Sequence, residues 1–83
     1  MAHFLCWDAA YETVEAASLR ENVADAETAA LQFGETVFRH LPLLSEPIIV
    51  SAVPASPSGE PVEGAAVLRF EVRRVVSYEV GTV

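Results

Sequence analysis

The chain has 83 residues, enough for a single domain, 1–83, with one modest core. Twelve acids against five bases, all arginine, give a net charge of −7. At 52% apolar residues the chain is too apolar for a disordered segment. The arithmetic also excludes a multidomain enzyme, a disulfide scaffold and a membrane protein.

Cys6 is the only cysteine, so no intramolecular disulfide forms. Met1-Ala2-His3-Phe4 puts no basic segment before an apolar run, and no apolar run approaches the ~20 residues of a membrane span. A cytoplasmic, reduced setting is expected. The charge is uneven: residues 1–40 carry a net −5 and residues 41–83 a net −2. Such a balance repels nucleic acid and anionic membranes and suits a basic partner, or serves solubility.

His3 to Trp7 is apolar and aromatic, and reads as a first strand. Residues 11–24 are ambiguous. Ala and Glu favour helix there, and Ser18 with Glu21 would make a capping box. Yet Ala17, Leu19, Glu21 and Val23 alternate with Ser18, Arg20 and Asn22, so a second strand is placed at 17–23. A helix is predicted over 26–40. Asp25 is a good N-cap, Glu27 sits in the first turn and Pro42 ends the segment. Ala26, Ala29, Ala30, Phe33, Val37, His40 and Leu41 share a core face at helical spacing. Leu31, Gly34 and Phe38 form a flanking patch about 100° round from it.

Residues 42–47 read as a turn and 48–53, Ile48 to Val53, as a β-branched third strand. Residues 54–64 hold three prolines, two glycines and two serines, so an irregular, mobile loop is expected. The last stretch alternates. Leu68, Phe70, Val72, Val76, Tyr78 and Val80 share one parity, and Arg74 breaks it. Either a bulge resets the strand there or Arg74 lies beyond the core edge.

The order is β-β-α-β-β. The simplest α+β architecture is one antiparallel sheet with a single helix on one face. The other face, or the sheet's edge, is then expected to be polar or paired with another chain.

Cys6-Trp7-Asp8 with Tyr11-Glu12, Asp25-Ala26-Glu27 with Ala29-Ala30 and Phe33, and Arg69-Phe70-Glu71-Val72 with Tyr78 form an ordered set. That set resembles small acidic proteins encoded by bacteriophages and prophages. The resemblance covers most of the chain through short motifs. Some proteins of that kind are anti-CRISPR inhibitors, which bind the host's CRISPR–Cas machinery and often block its nucleic-acid site. The resemblance implies such a role and carries over no site residues.

Cys6 with His3 or His40 could pair as nucleophile and base, or ligate a metal. No orienting group, oxyanion hole or paired ligand spacing accompanies them, so packing is the expected role of all three. His40 is expected to be partly buried against the last helical carbonyls. Trp7 reads as a packing residue, with an exposed binding anchor as the alternative. Glycines 34, 59, 64 and 81 form no phosphate loop, and no catalytic residue, cofactor or metal is expected. Glu12, Glu15, Glu21, Asp25 and Glu27 are the densest acidic run. They either form a solvated face or dock on a basic protein groove.

The leading expectation is a non-enzymatic, acidic protein-binding module, such as a phage-encoded inhibitor of a basic host nucleic-acid-handling complex. It would bind no nucleic acid or membrane itself. The alternative is a small homo-oligomeric structural or accessory domain. Leu31, Gly34 and Phe38, with the valines of the last strand, are the surface expected for a homodimer.

Overall fold

The computed structural model describes residues 2–10, 17–75 and 80–82. The elements are β1 (Ala2–Asp8), β2 (Ser18–Val23), α1 (Ala26–His40), β3 (Ile48–Ala55) and β4 (Leu68–Val72). All strand pairs are antiparallel, in the order β2-β1-β3-β4. The helix lies on one face, so the chain has the α+β architecture that its patterning predicts.

Alternation assigns the faces. Phe4 and Cys6 of β1, Ile48, Val50 and Ala52 of β3, and Val72 of β4 are buried toward the helix. Ala26, Ala29, Ala30 and Phe33 of α1 meet them. The alanines keep the helix close to the sheet, and the two phenylalanines, Phe33 and Phe38, fill the space toward its two edges. Asp25 caps the helix as expected, its Oδ1 accepting from the Thr28 N–H at 2.8 Å.

The second strand departs from simple alternation. Ala2 pairs with Val23 and Phe4 with Arg20, so Glu21 and Asn22 both stand opposite His3. This is a β-bulge, and Asn22 takes φ 54°, a left-handed conformation that asparagine tolerates. The extra residue flips the parity. Leu19 points away from the helix, while Val23 points toward it and is buried.

The opposite face of the sheet is apolar and covered over β1 and the end of β3, and polar at β4. Leu5, Val53 and Ala55 form a second buried cluster with Trp7, Ala17, Leu19 and Ala65 packed around it. The segment after β3 folds back over this face and is more ordered than an irregular loop. Ser56 N–H donates to Glu60 O at 2.8 Å, and Val62 N–H donates to Pro54 O at 2.9 Å. Ala55 and Pro61 form an isolated bridge. Gly59, at φ 89°, brings this turn over Leu19.

The last strand is short. It ends at Val72, and Arg73 to Val75 leave the sheet. Val76 and Tyr78, to which the alternation extended, lie outside the described residues.

Candidate functional site

The acidic run falls around the turn from β2 to α1. Glu21 is exposed on the bulge, and Glu27 is exposed in the first helical turn. Asp25 has a structural task. The hydrogen bond from the Thr28 backbone N–H, with the Thr28 side chain second, holds its carboxyl below the usual value. Glu12 and Glu15 lie outside the described residues. The structure thus places Glu21, Asp25 and Glu27 on one turn and commits only Asp25 to the fold.

The residues expected for self-association do not share one exposed surface. Leu31 is exposed, but Gly34 and Phe38 are buried in the core. The helix phase is rotated toward β4 because that strand covers the helix on this side. A Cβ at position 34 would overlap Val72 Cγ1 and lie 3.0 Å from Val72 Cβ, so glycine permits the close approach. Val37 is only half-buried, and Leu41 is exposed.

Arg74 explains the break in the last alternation. Its guanidinium crosses the C-terminal end of α1. Nη2 donates to Phe38 O at 2.6 Å and to Leu41 O at 3.0 Å, and Nη1 donates to Pro42 O. The cation lies 5.0 Å from the Phe38 ring centroid. A cation from outside the helix therefore satisfies carbonyls that the last turn leaves open and complements the negative end of the helix dipole. Arg74 does lie past the end of the strand, and it is anchored rather than left to solvent.

Cys6 is fully buried, and desolvation pushes its thiol up to about 11, with Arg20 opposing. Such a thiol carries almost no thiolate at neutral pH, so it is poorly suited to nucleophilic attack or metal ligation. His3 points to the face opposite Cys6, which also separates those two side chains. His40 is exposed rather than partly buried, though its Nδ1 bonds the Thr36 carbonyl at 2.9 Å, a contact with the final turn of the kind expected. Trp7 is half-buried against the second cluster. Among the described residues, no three His, Cys, Asp or Glu side chains gather as metal ligands. No described helix is long and apolar enough to cross a membrane.

Sequence reasoning missed one concave feature. Strand parity turns Asp8, Ser18 and Arg20 toward the helix, where Thr36 and His40 face them across a groove of about 370 Å³ floored by Phe33 and Val37. The groove continues past Asp8 and Leu41 into a space of about 390 Å³ bounded by Leu44, Pro47 and Ile48. Arg20 lies 5.8 Å from the Phe33 centroid and donates to Thr36 Oγ1 at 3.5 Å. Asp8 Oδ1 accepts the Ala10 N–H at 2.9 Å. The groove offers hydrogen-bonding groups above an apolar floor, and these residues are too dispersed in the sequence for a motif to show them.

Arginine placement sets the surface charge. Arg20 and Arg74 are half-buried against the helix, and Arg73 pairs with Glu71 at 3.0 Å. Glu21, Glu27, Glu35, Glu46, Glu60 and Glu63 are exposed and have no ion-pair partner among the described residues. The chain matches no family model, no curated protein and no solved structure.

Proposed function

We propose that the protein is a small acidic protein-binding module whose partner is a basic nucleic-acid-handling complex. A phage-encoded inhibitor of the anti-CRISPR kind belongs to this class. One observation carries the reading. The fold draws two of the five arginines, Arg20 and Arg74, against the helix while it leaves the glutamates above in solvent. The exposed surface is therefore more uniformly anionic than the composition alone requires. Such a surface complements a groove built for phosphates, steers encounter with it and repels nucleic acid itself.

Glu21 and Glu27 are the residues to test, because replacing Asp25 would also remove a helix cap. The wild-type protein should displace a fluorescent oligonucleotide from a CRISPR–Cas nucleic-acid complex. Displacement should weaken between 50 and 300 mM salt as screening grows. E21R/E27R should keep the wild-type circular dichroism spectrum and lose most of the displacement. Equal displacement by wild type and variant, or none by the wild type, would remove the proposal.

A further inference from the structure

We propose that β4 is a homodimerisation edge, pairing antiparallel with β4 of a second copy about a two-fold axis at Phe70. The strand is the last of the sheet, and its register with β3 runs without a shift from Leu68 to Val72. The strand has no bulge, proline, glycine or lysine, and its two charged residues, Arg69 and Glu71, are of opposite sign. Among the described residues, no backbone group of Leu68–Val72 bonds on its outer side. Residues 73–75 do not cover the edge either, because Arg74 carries them over the end of α1.

The occupant is a second copy because the five residues are self-complementary when reversed. Antiparallel pairing centred on Phe70 sets Leu68 opposite Val72, Arg69 opposite Glu71, and Phe70 opposite Phe70. Pairs directly opposite on one face interact most strongly, and opposite charges there are favourable. Arg69 is exposed and has no ion-pair partner among the described residues. Among the described residues Glu71 bonds Arg73 through Oε1 only, which leaves Oε2 for the partner's arginine. On the helix side Leu68 is 47% exposed and Phe70 half-buried. Beside them exposed Leu31 and buried Ala30 border a hollow of about 210 Å³. A two-fold axis perpendicular to the sheet keeps both helices on one side. The two apolar margins then meet, and the sheet becomes eight-stranded. The edge lies opposite the one that carries Glu21, while Glu27 borders the hollow beside Phe70; the inference does not rest on the function proposed above, and E21R alone leaves the hollow intact.

The test uses the full chain at 150 mM salt, where repulsion between two −7 chains is screened beyond about 8 Å. Sedimentation should give twice the 8.9 kDa chain mass at high micromolar concentration. R69E sets glutamate against glutamate and E71R sets arginine against arginine, so each variant should sediment as a folded monomer. An equimolar mixture of the two restores opposite charges at both positions and should dimerise, as should the double variant R69E/E71R. In the wild type, the outward amides of Leu68–Val72 should become more than tenfold slower to exchange as concentration rises through the transition. A wild-type monomer at every concentration, single variants that dimerise as well as wild type, a mixture that stays monomeric, or exchange insensitive to concentration would each overturn the proposal. Exchange on the wild type decides the matter even if a variant fails to fold.

Discussion

The two edges of the sheet meet the same helix in opposite ways. At the β2 edge, Arg20 reaches over Phe33 at 5.8 Å and holds a long bond of 3.5 Å to Thr36, while its Nε has no hydrogen-bond partner among the described residues. At the β4 side, Arg74 sits 5.0 Å over Phe38 and donates to three helical-end carbonyls. The backbones differ in the reverse sense. The β2 edge is broken by a bulge and a left-handed Asn22, which spoils it as a template for another strand. The β4 edge is regular. Tight packing inward and an open ladder outward thus occur on the same strand, so rigidity toward the core does not imply a finished surface.

The aromatic pair tests this contrast most severely. Phe33→Ala and Phe38→Ala should each destabilise by about 3–5 kcal/mol in chemical denaturation, because both rings are buried. A loss at Phe38 far smaller than at Phe33 would restore the helix phase read from the sequence and loosen the β4 side.

The next largest effect concerns the close approach. Gly34→Ala gains about 1 kcal/mol of helix propensity but overpacks stiff, β-branched Val72, costing about 1–3 kcal/mol. Net destabilisation is expected. V72A, costly by itself, should make G34A neutral or stabilising in a double-mutant cycle. Additive effects would mean that β4 does not touch the helix at that point.

The arginines should separate next. Arg74→Ala should cost about 1–3 kcal/mol, since it strips charge-assisted bonds from helix-end carbonyls, and Arg74→Lys should recover only part of this. Arg20→Ala should cost less than about 1 kcal/mol, because its one bond among the described residues is long. The reverse ranking would invert the comparison of the edges.

The smallest effect is a pH dependence at the turn beside the β2 edge. The folded state lowers the Asp25 carboxyl below its ordinary 3.8, so it binds fewer protons than the unfolded chain. The cap's contribution is full above that value and fades as pH falls through the lower, folded one. Asp25→Asn keeps a capping oxygen and should flatten only this acid limb in thermal melts between pH 2 and 5. An unchanged limb would remove Asp25 as its source.

Much of the fold is legible in the residues. Asp25, the alanine spacing and Pro42 announce the helix, and the β-branched run at Ile48 announces the central strand. Other features depend on contacts that pattern does not encode. An extra residue at Glu21–Asn22 is invisible to a period-two count, so the parity of β2 could not be assigned. Helical spacing puts Phe38 and Gly34 on a flank, because nothing in the helix itself says that β4 will cover them. The parity of 68–80 continues past the point where Arg74 leaves for the helix end. Of the candidate site, the acidic turn was legible and the groove was not, since Asp8, Arg20 and Thr36 converge only once the strands have paired.

The placement of β1 has a consequence for how the molecule is made. It pairs with β2 on one side, yet its other partner is β3, with His3 meeting Ala55 and Asp8 meeting Val50 across the whole of β2 and α1. The hairpin and the helix are local and can flicker into existence early. The seam at the middle of the sheet cannot, because it needs a loop of more than forty residues to close. Until it closes, the apolar residues of β1 have only one neighbour strand. Acquisition of structure should therefore be a single late step governed by that closure, with chaperone binding and misassociation concentrated in the interval before it.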